Sequence, residues 1–352
     1  MSDARDPVAD LERVAFLLER ALESSHRVKA FRGALAALGP LGPDEVAARA
    51  RAGTLTDLRG VGPKTAGVVV QALEGRVPDY LAGLEAQVDD EDPLDDAAAA
   101  LRAATRGDCH THSDWSDGGS PPDVMARAAR ALGHEWVALT DHSPRLTVAN
   151  GLSRERLLAQ LHLLEEINAD LAPFRVLSGI ECDVLADGSL DQDPDLLQRL
   201  DVVVASVHSE LRMPSAEMTE RMVTAVANPL VDVLGHCTGR NVLPRGRSGK
   251  VRPPSEFDSE VVVEACRQFG VALEVNSRPE RQDPPDEILD LAVDAGVLLA
   301  VDTDAHAPGQ LDWQASGPGA GCVRLGARGV DPDRVVTTWT ADRLTAWSHD
   351  HG

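Results

Sequence analysis

From Gly107 onward, short apolar runs alternate with helix-like stretches, and this alternation constrains the fold more than any other feature of the chain. The runs close at Asp108–His112, Trp136–His142, Val176–Glu181, Val202–His208, Val231–His236, Val271–Asn276 and Val297–His306. Strands separated by helices pair in parallel, because each crossover needs a dozen or more residues and covers one face of the sheet. Seven such units predict an α/β barrel. The first intervening helix is expected to use Ser120 as N-cap and Pro121 as its first residue.

The ends of these runs share a chemical theme. The first is Asp108-Cys-His-Thr-His-Ser-Asp-Trp-Ser-Asp-Gly118, which places His110 and His112 two residues apart and Asp117 five further on. On a strand, residues i and i+2 face the same side. Later runs deliver His142, Glu181, His208, His236, Asp304 and His306, so that six of the 11 histidines close a predicted strand. In barrels, polar groups at the C-terminal strand ends are where active sites are built. Six imidazoles and three carboxylates at one mouth need cations to coexist, and N/O donors suit divalent transition metals. A multinuclear metal site is the reading. Cys109, Cys182 and Cys237 adjoin ligand candidates but alternate to the opposite face, where they serve as small buried apolar groups.

The formal charge of −23 over 352 residues is unevenly spread: residues 1–88 hold 11 Lys/Arg against 12 Asp/Glu, leaving −22 for the rest. Such acidity disfavours non-specific nucleic-acid binding by the larger part, so DNA contacts are expected from the N-terminal part or from a metal-neutralised pocket. No apolar run reaches the roughly 20 residues of a membrane span. Five cysteines, an odd number, and a polar N-terminus point to a reducing cytoplasm.

Helical stripes occupy residues 8–22 and 28–38, and a third helix is expected from Pro43 to Ala52 with Gly53 as its end. Leu58-Arg-Gly60-Val61-Gly62-Pro-Lys-Thr follows, two glycines around one apolar residue ahead of a helix start. Free backbone N–H groups there suit a phosphate, and Arg59 and Lys64 add charge. The pattern resembles the helix-hairpin-helix motif of DNA-repair and polymerase proteins, which implies DNA contacts at Arg59, Gly60, Gly62 and Lys64. Residues 1–85 resemble the small N-terminal domain of family X DNA polymerases. Val68 stands where that family has its lyase lysine. Residues 86–106 form an acidic, Ala-rich linker with room for one short helix, and are too short for a polymerase palm.

Residues 107–310 resemble the polymerase and histidinol phosphatase (PHP) domain, in the version carried by bacterial family X polymerases. The segments that carry this are Thr140-Asp-His-Ser, Val148-Ala-Asn-Gly-Leu-Ser153, Ala205-Ser-Val-His208, Leu234-Gly-His-Cys-Thr-Gly-Arg240 and Thr303-Asp-Ala-His306. The resemblance implies a distorted (β/α)7 barrel over residues 107–348 with three divalent ions (Mn, Zn or Fe). One would be held by His110, His112, Glu181 and Asp304, a second by Glu181, His208 and His236, and the third by Asp117, His142 and His306. Cys237, where the family has proline, and Arg278 depart from its pattern. The implied chemistry is a metal-dependent phosphoric ester hydrolase with metal-bound hydroxide as nucleophile and Glu181, His208 and Asp304 at its centre. Arg145, Arg240 and Arg281 are candidate phosphate clamps. The expected substrate is a DNA 3′ end, cut as a 3′–5′ exonuclease or 3′-phosphoesterase. Alternatives are a small phosphorylated metabolite such as histidinol phosphate, and a non-catalytic DNA-binding module with structural metals.

Overall fold

The computed structural model describes residues 5–89, 93–245, 250–317 and 319–350, so residues 90–92 of the acidic run lie outside the described residues. The chain divides into two compact units, Met1–Pro93 and Leu94–Gly352. Among the described residues no helix is long and apolar enough to cross a membrane.

In the first unit proline opens three helices, Pro7–Arg20, Pro43–Ala52 and Pro63–Leu73, where its missing N–H costs nothing. Helices Ser25–Leu38 and Asp79–Asp89 complete the set among the described residues. The stripe of Leu11, Val14, Leu18, Phe31, Leu38, Val68 and Leu81 forms one buried core. Gly53 ends its helix at φ 71°, as its position in the sequence predicts. Gly60 takes φ 102°, and a Cβ there would lie 2.8 Å from the Gly33 carbonyl oxygen, so the tight turn before Pro63 requires glycine.

In the second unit, strands β1 (Trp136–Leu139), β2 (Arg175–Asp183), β3 (Val202–Ser206), β4 (Val233–Leu234), β7 (Ala272–Asn276) and β8 (Leu299–Asp302) make a parallel six-stranded sheet in that order. A separate antiparallel hairpin pairs β5 (Asn241–Arg245) with β6 (Lys250–Arg252). Strands β1, β3, β7 and β8 are buried along their whole length, which is why they read as unbroken apolar runs rather than alternating ones. Helix Pro122–Ala131 precedes β1, and helices such as Arg154–Leu171, Ser215–Val226 and Ser259–Phe269 lie between the later strands in the chain. This curled parallel sheet with its helices is the α/β barrel architecture that the alternating runs predict.

Three expectations change in detail. The predicted first strand, 108–112, is not a regular strand: Thr111 bridges Leu139 on one side and Ala305 on the other, between β1 and β8. Ladder bonds remain from Ala138 N–H to the Asp108 carbonyl and from Thr140 N–H to that of Thr111, but Cys109 N–H donates to Asp302 (2.7 Å) and Thr111 N–H to Thr140 Oγ1 (3.0 Å), so the ladder is interrupted while the position is kept. The helix after Ser120 begins one residue late, with Pro121 at the cap and Pro122 as first residue. Stretch 94–106 holds the one short helix expected there, packed into the second unit rather than left between the two. Asp95 caps a helix over Asp96–Ala104 by accepting from Ala98 N–H at 2.7 Å, and Ala98 and Leu101 are buried in the second unit.

Candidate active site

Because every parallel strand ends on the same rim, the polar residues that close them meet there. Glu181, near the end of β2, stands at the centre. Its Oε1 lies 2.8 Å from His236 Nε2 and 3.2 Å from His208 Nε2. Its Oε2 lies 2.8 Å from His142 Nδ1, 3.3 Å from His110 Nε2 and 3.5 Å from His112 Nε2. Asp304 Oδ1 is 3.5 Å from His112 Nε2. At the lip, Asp117 Oδ1 lies 3.3 Å from His306 Nε2 and 3.5 Å from His142 Nε2. Asp304 adopts φ 52°, a left-handed conformation rare for a residue with a Cβ, which presents its carbonyl and its carboxylate to the same site.

All nine residues expected from the strand ends therefore converge. They fall into four donor groups whose candidate ligand atoms lie within 4.8 Å of one another: His112, Asp117, His142 and His306; His110, His112 and Asp304; His110, Glu181 and His236; His142, Glu181 and His208. The donors fit divalent ions on a second ground. His110 Nε2, both ring nitrogens of His112, His142 Nδ1, Glu181 Oε2 and His208 Nε2 are buried without a hydrogen-bond partner. Buried polar atoms left unpaired cost about 1–3 kcal/mol each, and a shared cation removes that cost.

The electrostatics are those of a carboxylate ringed by imidazoles. Burial alone would raise Glu181, but His110, His142 and His208 hold it well below the usual carboxylate range. Burial disfavours charge on His208, yet Glu181 and Asp183 carry its pKa up to about 9. His110 is likewise pushed well above its ordinary value against burial, by Glu181 and Glu274. His112, buried with His306 and His142 as neighbours, falls to about 3. Asp304 is held low against its burial by Arg281 and Arg278. Metal ligands must be deprotonated, so ions compete here with protons on His110 and His208 and find His112 already neutral.

Sequence reasoning missed the carboxylates behind the histidines. Glu274, fully buried, sits 2.6 Å from His110 Nδ1 and accepts the backbone N–H of His236. Asp183 lies 3.3 Å from His208 Nδ1. Asp141 accepts from Ser113 N–H (2.8 Å), Ser113 Oγ (2.6 Å), Gln160 Nε2 (2.7 Å) and Ser116 Oγ, tying down the loop that carries Asp117. Such partners fix the tautomer and orientation of ligating histidines. The available signal was a charged residue inside an apolar run, Val271-Ala-Leu-Glu-Val275, and Asp183 two positions beyond Glu181 on the same strand face.

The three candidate phosphate clamps separate. Arg145 is exposed on the loop after β1, and its backbone N–H donates to Asp191. Arg281 Nε donates to Asp304 Oδ2 at 2.8 Å. Arg240 donates to the carbonyls of Arg281 (3.1 Å) and Gln282, and so braces a loop. The Cys237 thiol lies 3.7 Å from Asp283, outside every donor group, with its pKa pushed well above normal by burial and by Asp283. In the first unit Arg59, Gly60 and Lys64 are exposed, Gly62 N–H donates to Thr65 Oγ1 at 2.9 Å, and the Lys64 ammonium lies 4.8 Å above the Tyr80 ring. Val68 is buried in the core, with no group able to act as a nucleophile.

The chain is 42% identical over 212 residues to the DNA polymerase/3′-5′ exonuclease PolX of Bacillus subtilis, covering 60% of this chain but 36% of that protein. It is 29% identical over 211 residues to a probable phosphatase of Thermoanaerobacter sp., covering 56% of this chain and 78% of that one. A crystal structure of histidinol phosphate phosphatase from Lactococcus lactis, complexed with zinc, L-histidinol and phosphate, matches with TM-score 0.43 and 18% identity over 64% of this chain and 93% of that one. The chain thus spans about a third of the PolX relative and about three quarters of the phosphatase relative. Residues 108–278 match the PHP domain, the stretch that carries strands β1 to β7 and the rim donors from His110 to His236.

Proposed function

We propose that this protein is a trinuclear, metal-dependent phosphoesterase that acts on DNA 3′ ends, as a 3′–5′ exonuclease or 3′-phosphoesterase. A metal-dependent phosphoesterase is the activity that the PHP relatives support. The observation that carries the reading is Glu181, whose two oxygens are approached by five imidazoles in a buried rim. In the proposed partition His110, His112, Glu181 and Asp304 hold one ion. Glu181, His208 and His236 hold a second, and Asp117, His142 and His306 a third. Bound divalent ions would acidify water for attack on phosphorus and neutralise charge on the phosphate oxygens.

The chain's own groups do the rest. Glu274 and Asp183 orient His110 and His208 through their Nδ1 atoms. Asp141 holds the Asp117 loop over the site. Arg281 pins Asp304, and exposed Arg145 offers a guanidinium to an incoming phosphate. Residues 107–348 are the hydrolase in this reading, and residues 1–85 hold the DNA backbone through Arg59, Gly60 and Lys64, the Gly62 N–H expected to join them being committed to Thr65 Oγ1. The near-neutral charge of residues 1–88, against −22 for the rest, favours DNA contact there.

A second reading, a phosphomonoesterase of small metabolites, is favoured by the acidity of the large unit and by the probable phosphatase relative. The deciding experiment offers the full-length protein a 3′-recessed oligonucleotide and histidinol phosphate side by side with Mn²⁺. DNA turnover whose KM rises in R59A/K64A, with hydrolysis of a small chromogenic phosphoester unchanged, is the expected result. Turnover of histidinol phosphate alone would establish the second reading instead.

A further inference from the structure

The histidines of the rim do not share the same backing. The His110 ring is backed by Glu274 and the His208 ring by Asp183, each a buried acid, while Glu274 reaches His236 only at its backbone N–H. His306 is backed by a guanidinium. Arg278 Nη1 lies 3.0 Å from His306 Nδ1, 3.0 Å from the Asp304 carbonyl oxygen and 3.4 Å from Asp304 Oδ1. His306 Nδ1 is itself 2.8 Å from that carbonyl. An arginine cannot accept a proton, so two arrangements compete. Either Arg278 donates to Nδ1, which puts the ring proton on Nε2 and removes the lone pair facing Asp117, or Nδ1–H donates to the carbonyl and Nε2 stays free. The second leaves a fixed positive charge against the back of a ligand ring.

That charge is poorly screened, because the Arg278 side chain is 11% exposed. Its counter-charges are Glu280, at 3.4 Å, and Asp304, which is also paired with Arg281. Asp117, the carboxylate of the donor group that includes His306, is 37% exposed and weakened by solvent. Both arrangements act in one direction: the first withdraws a ligand atom and the second repels a cation.

We propose that Arg278 is a resident cation that makes the ion held by Asp117, His142 and His306 the weakest and most exchangeable of the set. This rests on the metal reading above. It sorts the ions into a firmly held group around Glu181, backed by acids, and a labile one at the lip that loads last as metal concentration rises.

The test is a Mn²⁺ titration of the metal-stripped full-length protein, with free ion followed by electron paramagnetic resonance. The wild type is expected to show one step weaker than the others by at least about tenfold, and Asp117→Asn should remove that step. Arg278→Gln keeps an amide donor for the Asp304 carbonyl and removes the charge. It should tighten the weakest step by at least about tenfold and by more than any other step, the one that uses Asp304 included, while Arg278→Lys behaves as wild type. In the Asp117→Asn background the effect of Arg278→Gln should vanish, because the two residues act on one subsite. An unchanged or loosened weakest step in a folded Arg278→Gln protein overturns the inference, as does an effect that persists in the Asp117→Asn background. Should Arg278→Gln fail to fold, a weakest wild-type step that survives Asp117→Asn overturns it on its own. A wild type that binds no ions at all refutes the metal reading itself.

Discussion

Glu274→Gln tests the proposed site through a residue that touches no substrate. Glu274 Oε1 stands 2.6 Å from His110 Nδ1, while Oε2 accepts the His236 backbone N–H and Asn276 Nδ2 (3.2 Å). A glutamine has one acceptor oxygen, and the side facing two donors will claim it. Its NH₂ group then faces His110 Nδ1, which can pair with it only by giving up its hydrogen. The ring proton moves to Nε2, the atom that points at Glu181, and the lone pair needed for a metal is lost. Restoring the ligating tautomer leaves one buried donor facing another, a cost of about 1–3 kcal/mol, or roughly 5- to 150-fold in affinity. Loss of partners behind ligating histidines typically costs about 10- to 100-fold. Chelator-competition titration with Zn²⁺ or Mn²⁺ reads the affinity directly, and thermal melting of the metal-free protein separates it from folding. A Glu274→Gln protein with wild-type metal affinity would refute the tautomer argument and leave Glu274 as a packing group.

Other outcomes follow from the same geometry. His208→Ala and Asp304→Asn are expected to lower phosphoesterase turnover by more than about 100-fold while circular dichroism stays native, since each removes a ligand rather than core packing. In the metal-free protein His208 has its pKa raised from 6.5 to about 9. Its contribution to stability is therefore complete below about pH 6.5 and lost as pH rises through about 9. Ion uptake near pH 7.5 should accordingly release protons and tighten with pH, which calorimetry in buffers of different ionisation enthalpy will show. Cys237→Ser should leave metal content unchanged, as measured by elemental analysis, because the thiol faces Asp283 outside the donor groups. Gly60→Ala should destabilise the first unit by about 1–3 kcal/mol, seen as faster hydrogen exchange in residues 5–89, because φ 102° and the Gly33 carbonyl at 2.8 Å leave no room for a Cβ.

The sequence by itself determined the class of fold and the nine converging donors. Both are written in short-range terms: apolar runs bounded by helices, and a histidine or acid where each run stops. Once the strands are parallel their ends share a rim, so no knowledge of tertiary contacts is needed to gather His110, His142, Glu181, His208, His236 and Asp304 in one place. Only the tertiary structure decided which group stands behind which ligand. Glu274 reaches His110 across 164 positions and Arg278 reaches His306 across 28, and neither spacing has a local signature. The same holds for Arg240, whose commitment to the carbonyls of Arg281 and Gln282 depends on a loop 41 residues away. It holds too for the packing of the short helix at Asp96–Ala104, whose place in the second unit is set by the surface that Ala98 and Leu101 bury against. Periodicity reports which face of an element is apolar, whereas the partner of a buried charge is set by how the strands and loops are brought together around it.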